Sequence, residues 1–229
     1  MDIVYVCRDG ENPELRYSLR TLQNVNHDRV WVFGGAPRWL NTGTVNYVRR
    51  RQDATPAHST RGHIMAACKT PGVSDPFMLW NDDFYAMKKI GDVPIYHRGL
   101  LVDHVERMTG YHTPWSKGLR ITADLLEKQG MLDGALSYSI HLPLIVHKAE
   151  MLEAIDVARK TNAQHFHLRT LYGAMANLGG DKYIDPKVLR RSDPFPRGPW
   201  LSSSPDSFRH SVEPVLRYTF PGASPYEKD

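Results

Sequence analysis

Asn81-Asp82-Asp83 sets two carboxylates side by side at the end of a continuous apolar run, Phe77-Met78-Leu79-Trp80, and an aromatic, Phe84, follows. An uninterrupted apolar stretch of this length reads as a strand covered on both faces. The triplet then falls at the carboxyl end of that strand, where open α/β sheets place their ligands. Neighbouring carboxylates repel one another and lose hydration beside a buried strand, so they need a counter-charge. A hard divalent cation, Mn²⁺ or Mg²⁺, shared with phosphate oxygens of a substrate supplies one. If extended backbone runs through the triplet, Asn81 and Asp83 share a face and Asp82 points to the other, giving two oxygen ligands at i and i+2. The same residue types are equally at home in a turn or a helix cap.

Arginines offer a second kind of chemistry. Arg16 and Arg20 stand four apart on a predicted helix and are therefore neighbours, placed either to grip a phosphate or carboxylate or to line a solvated face. Arg49-Arg50-Arg51 is a basic run that reads as solvated surface or as a contact to the phosphates of nucleic acid. Gly34-Gly35 permits backbone N–H approach to a phosphate or simply a sharp turn before Pro37-Arg38-Trp39. No Gly-x-Gly-x-x-Gly or Walker pattern accompanies it, so no dinucleotide or P-loop site is supported. The histidines, His165 and His167 included, show no metal-ligand spacing.

The elements that must position these groups are legible in order. Ile3-Val4-Tyr5-Val6-Cys7 reads as a strand, and Arg8-Asp9-Gly10-Glu11-Asn12 as the polar turn after it. Asn12-Pro13-Glu14 starts a helix: Asn caps, Pro takes the first helical position and an acid sits in the first turn. That helix, Glu14 to about Val25, carries Leu15, Leu19 and Leu22 on one stripe. Val30-Trp31-Val32-Phe33 is the next strand, completing a βαβ unit. A short strand near Val45-Asn46-Tyr47-Val48 precedes the arginine run, and Ser59-Thr60 is placed to cap a helix over Arg61–Lys69. Beyond the triplet come a short strand and turn, 93–99, and helices over 119–129 and 148–160. From Asp181 on, Pro and Ser accumulate, yet Phe208, Val215, Leu216, Tyr218 and Phe220 predict a tail that packs along the body, with only its last residues mobile.

Composition excludes more than it assigns. With 229 residues, 41% hydrophobic and 24% charged, the chain has the make-up of an ordinary globular protein able to bury a full core. No apolar run is long enough for a membrane span, and the first residues read as a strand rather than a signal peptide. Cys7 and Cys68 are too few for a disulfide scaffold or zinc motif, which suits a cytoplasmic protein with reduced thiols. A net charge of +4 favours polyanionic ligands in a general way.

Several blocks together resemble the Stealth family of capsular-polysaccharide sugar-phosphate transferases, which also includes the GlcNAc-1-phosphotransferase of lysosomal enzyme tagging. Asp2-Ile3-Val4-Tyr5-Val6 with Asp9-Gly10 resembles its opening block. Glu14 to Arg20 with Pro37-Arg38-Trp39-Leu40 resembles its second, and Pro71 to Asp75 followed by Phe77 to Phe84 the end of that block. His141-Leu142-Pro143-Leu144-Ile145 resembles the His-x-Pro block, and Phe166 to Gly173 the last, which supplies an Arg. Cys7-Arg8 stands where the family has a Trp followed by Val or Asn, His58-Ser59 replaces part of a Thr/Asn-Ser segment, and the chain is shorter than bacterial members. It is most similar to compact, phage-type transferases related to Stealth and to GT-A glycosyltransferases.

The resemblance implies an α/β, GT-A-like (Rossmann-like) mixed sheet flanked by helices, with a helical acceptor-side cap and an extended C-terminal tail. Residues 1–180 would form the nucleotide-sugar transferase domain and 181–229 a Pro/Ser-rich extension packed on it. Asp83, with Asn81 or Asp82, would hold Mn²⁺ or Mg²⁺ on the diphosphate of a nucleotide sugar, a UDP-sugar first among candidates. Asp9 and Gly10 would lie beside the nucleotide, Arg16, Arg20 and Arg169 would clamp phosphate, and His141 would act as base toward an acceptor hydroxyl. The acceptor would be a glycan, a protein or a hydroxylated base in DNA, the last served by Arg49, Arg50 and Arg51. Transfer of the sugar-1-phosphate is the alternative reaction, and non-catalytic nucleic-acid binding on the same fold is a third reading.

Overall fold

A computed structural model describes every residue except Ala54, Asn162, Gln164 and Asp229. In chain order the elements are β1 (Ile3–Cys7), α1 (Pro13–Thr21), β2 (Val30–Gly34), β3 (Asn46–Arg49), α2 (Pro56–Lys69), β4 (Phe77–Trp80), β5 (Phe84–Ala86), β6 (Tyr96–His97) and α3 (Leu101–Arg107). There follow α4 (Pro114–Lys128), β7 (Leu144–Val146), α5 (Lys148–Lys160), α6 (Leu168–Met175), β8 (Asp181–Lys182), β9 (Lys187–Val188), β10 (Trp200–Ser203), α7 (Pro205–Ser207) and α8 (Glu213–Thr219). The class is α/β, as the sequence pattern implies. The chain forms two compact units: Met1–Val93 with His141–Ile145 and Pro186–Asp229, and Pro94–Ile140 with Val146–Asp185. Among the described residues no helix is long and apolar enough to cross a membrane.

The first unit is built on a five-stranded sheet in the order β3-β2-β1-β4-β7. β1 runs parallel to β2 on one side and to β4 on the other, and β2 runs parallel to β3. Ile3, Val4 and Tyr5, Val30 to Phe33, and Phe77 to Trp80 are all buried, which is why these strands read as unbroken apolar runs. Asp2 ties the amino ends of three segments together. Its carboxylate accepts from Arg29 at 2.9 Å, from Trp31 Nε1 at 2.9 Å and from the Ser74 amide at 3.0 Å. Burial raises its pKa, but these donors outweigh burial and the net shift is downward.

Helix α1 buries Leu15 and Leu19, and Leu22 continues the stripe in a 3₁₀ turn. Asn12 caps it from the left-handed region, at φ 39°, which Asn tolerates better than most residues. A second sheet, β5-β10-β9, pairs β10 antiparallel with β5 and parallel with β9. The C-terminal segment packs on it through Phe208, Val212, Leu216 and Phe220, against Tyr17, Tyr85, Val188 and Leu201.

Several sequence expectations differ in detail from the fold. Helix α2 begins at Pro56, because Thr55 Oγ1 accepts from the His58 amide and Pro56 occupies the first turn; Ser59 Oγ instead accepts from Asp53 N at 2.7 Å. Helix α4 likewise starts earlier, at Pro114, capped by Thr113. Val215 and Tyr218 face solvent, since the buried positions of the tail recur every four residues at 208, 212, 216 and 220. The last described residues are tied down rather than loose: Leu40 bridges Glu227, and the Lys228 amide donates to Trp39 O at 2.8 Å.

The second unit is mainly helical, with α6 packed on α4 and α5 and a short parallel β6–β8 pair. Gly173 lies against the Tyr138 ring so closely that a Cβ there would sit 2.3 Å from it.

Candidate functional site

Strand order decides where the site is. The chain passes from β1 outward to β2 and β3, then returns to β4 on the opposite side of β1, so the carboxyl ends of β1 and β4 flank a topological switch point. A cavity of about 300 Å³ opens there, lined by residues following β1 (Arg8), in α1 (Glu14), in α2 (Ser59, His63) and after β4 (Asn81, Asp82, Asp83), with Lys187 at its wall. Gly34 and Gly35 serve packing at this edge: a Cβ on Gly34 would sit 2.0 Å from Cys7 O and one on Gly35 2.6 Å from Arg8 O. They allow the end of β2 to approach the end of β1.

The backbone of the triplet is a tight turn, with Phe84 N donating to Asn81 O at 3.3 Å, and not a continued strand. The chain must reverse here because Phe84–Ala86 joins the second sheet against β10. All three residues nevertheless line the cavity. The two carboxylates have different partners. Asn12 Nδ2, on the cap of α1, donates to Asp82 Oδ2 at 2.8 Å. Asp83 Oδ2 accepts from Lys187 Nζ at 2.8 Å and from Ser202 Oγ at 3.2 Å. Burial, followed by the charge of Asp83, pushes the Asp82 carboxyl up to about 6, against the Asn12 hydrogen bond and Arg8. The Cys7 thiol is driven well above its usual value by burial and then by Asp82. His63 is buried, which pushes its pKa down despite the Arg51 carbonyl 3.4 Å from its Nε2.

Among the described residues no three His, Cys, Asp or Glu side chains gather as a metal cage. The donor set is nonetheless suited to a hard cation: an amide oxygen and two carboxylates in one cavity, one of them pushed up to about 6 by burial and then by its charged neighbour. Mg²⁺ and Mn²⁺ bind in this manner through one or two carboxylates, taking their other oxygens from water and phosphate.

The remaining candidates are distributed as follows. Asp9 and Gly10 are exposed in the turn after β1, Gly10 at φ 116°. His141 opens the segment leading into β7 and stands edge-on to Phe84, the residue after Asp83, at 6.3 Å between ring centres. Arg169 lies in α6 of the second unit. Arg49, Arg50 and Arg51 are exposed at the carboxyl end of β3, where the chain runs on into Gln52 at the cavity wall. Arg16 and Arg20 meet a carboxylate from the same chain. Arg20 holds Glu227 through two 2.8 Å bonds, Arg16 Nε lies 3.4 Å from the same group, and the Arg16 guanidinium stacks over Trp39 at 4.9 Å.

Lys187, Ser202 and the second role of Asn12 have no signature in the sequence. Lys187 is 104 residues from Asp83, in a two-residue strand that no periodicity marks.

No protein-family model matches the chain, and no curated protein does. Among solved structures it is similar to the galactosyltransferase LgtC in complex with donor and acceptor sugar analogs, at 13% identity and a TM-score of 0.49, covering 99% of this chain and 85% of that one. An active-site mutant of LgtC gives 13% identity and 0.45 over the same shares of the two chains. The 2-C-methyl-D-erythritol 4-phosphate cytidylyltransferase of Thermus thermophilus gives 15% and 0.35, over 77% of this chain and 85% of that one.

Proposed function

We propose that this chain is a GT-A-like glycosyltransferase that moves a sugar from a nucleotide-sugar donor to an acceptor hydroxyl. The observation that carries this reading is the Asp82–Asp83 pair in a cavity at the switch point among the parallel strands of the sheet, with Lys187 beside it. Asn81, Asp82 and Asp83 would hold Mn²⁺ or Mg²⁺, which when bound offsets charge on the diphosphate leaving group. The chain's own residues supply the rest. Asp9 and Gly10, after β1, border the nucleotide. Lys187 places a cation next to Asp83, where it serves the diphosphate oxygens as a point charge. His141 takes the proton of the acceptor hydroxyl as general base. As that proton leaves, oxygen bonds to the anomeric carbon and the nucleoside diphosphate departs with the electron pair of the broken C–O bond. Acceptor classes consistent with this chemistry are a glycan, a protein or a hydroxylated DNA base.

A thermal-shift screen of nucleotide sugars with and without Mn²⁺ or Mg²⁺, on the native protein and Asp83→Ala, tests the reading. A donor at about 100 times its Kd stabilises the fold by about 2.7 kcal/mol. A metal-dependent shift lost in Asp83→Ala supports it, and no shift with any donor refutes it. Product analysis then separates the two reactions: a released nucleoside diphosphate means glycosyl transfer, a monophosphate means Stealth-type phosphosugar transfer.

A further inference from the structure

Two basic segments of the first unit leave the wall of the cavity in different places. The Arg49-Arg50-Arg51 run is exposed at the end of β3 and continues directly into Gln52, a cavity-lining residue. The loop between β9 and β10 departs just after Lys187, also cavity-lining, and returns just before Ser202, which donates to Asp83. It exposes Arg190, Arg191 and Arg197. The loop is built: the Leu189 and Arg190 amides donate to Asp193 Oδ2 at 3.1 and 2.9 Å, and the Asp193 amide donates to Arg190 O at 3.0 Å. Its acid is thus turned inward onto the backbone while the arginines face out. Phe195 is 41% exposed between them. Asp53 is the other acid within these two segments.

We infer that these segments form the docking surface for a nucleic-acid acceptor, whose strand crosses the mouth of the cavity. The inference rests on the transferase reading given above and names its acceptor. All six cations are arginines, whose planar fork matches phosphate oxygens, and none is a lysine. An exposed phenylalanine among them offers a stacking face to an unpaired base, the combination single-strand binders use. Each segment runs directly into or out of a residue of the cavity wall, Gln52 in one case and Lys187 in the other, so a strand held on them brings a base to the site that would hold the donor.

The test measures binding of a short fluorescent single-stranded oligonucleotide by anisotropy across a salt series. For single strands the affinity falls with a log–log slope of about −0.7 per phosphate contacted, so six arginines give about −4. Between 50 and 200 mM salt that is a loss of about 250-fold in the native protein, and about 16-fold for R49S/R50S/R51S or R190S/R191S/R197S. Phe195→Ala lowers affinity about tenfold at fixed salt, with no change in slope. The donor-plus-metal thermal shift, run on the same proteins, is unchanged in all three variants and confirms that they fold. Native-like oligonucleotide binding by both triple variants overturns the inference. So does binding to phosphatidylserine vesicles in place of the oligonucleotide. Absence of any donor response in the native protein, with intact oligonucleotide binding, refutes the transferase reading instead, so the two failures are told apart.

Discussion

Replacing Asp82 by Asn removes a charge that the fold holds at a cost. The Asp82 carboxyl moves from 3.8 to about 6 on folding, because burial and the neighbouring Asp83 disfavour its ionised form more than Asn12 and Arg8 favour it. An upward shift means that the folded state binds the proton more tightly than the unfolded chain. The contribution of this group to stability is therefore greatest below pH 3.8, declines as pH rises toward 6, and is flat above that. A shift of about two units at about 1.36 kcal/mol each amounts to about 3 kcal/mol at pH 7.5. Asn at this position keeps an oxygen to accept from Asn12 Nδ2 and carries no charge to repel Asp83. In metal-free urea denaturation followed by tryptophan fluorescence, Asp82→Asn is expected to be more stable than the native protein at pH 7.5, by about 2–3 kcal/mol. The difference should shrink to about 0.5 kcal/mol by pH 4 and vanish below about pH 3. Trp80 and Trp200, both buried, report the transition. A variant less stable than the native protein at pH 7.5, or a gap that does not change with pH, refutes the reasoning.

The other predictions follow from partners seen in the fold. Lys187→Ala removes the cation 2.8 Å from the Asp83 carboxylate, leaving Ser202 as a neutral donor, and is expected to cost about 2–3 kcal/mol at neutral pH, read from the urea midpoint. Glu227→Gln strips the carboxylate from Arg20, a side chain only 12% exposed, and is expected to cost about 2 kcal/mol. Burial raises the Glu227 carboxyl, but Arg20 and Ser224 outweigh it and the net shift is downward, so this contribution is present above the ordinary carboxylate range and is lost as pH falls through the folded value. Gly173→Ala places a methyl within 2.3 Å of the Tyr138 ring and is expected to lower Tm by well over 5 °C, measured by calorimetry. Neither Cys7 nor Cys68 should react with a thiol reagent in the native state, since both are buried; mass spectrometry before and after denaturation checks this.

Patterns that act over a few residues could be read from the chain directly. The runs that became β1, β2 and β4 are apolar without interruption because both faces of a parallel sheet are covered. Asn12-Pro13-Glu14 is a helix start wherever it occurs, and the stripe Leu15, Leu19, Leu22 names its buried face. The crowding of Asp82 against Asp83 is a fact of covalent neighbours, and so was the need for a compensating charge. Which charge answers it was a tertiary decision. Lys187 reaches Asp83 only because β9 is carried to β10 and β10 to β5, the second a pairing between segments about a hundred residues apart that no local preference encodes. The conformation of the triplet was decided in the same way: the turn at Asn81 exists because Phe84–Ala86 is claimed by another sheet, and β-pairing overrides any tendency of the strand to run on. Arg16 and Arg20 show the same division. Helical spacing made them neighbours, but the tail selected their partner, bringing Glu227 across 207 residues of sequence into their grip. A sequence states which groups have unmet charge or unmet packing; only the folded chain, by the entropy of closing its long loops, settles which distant group meets them.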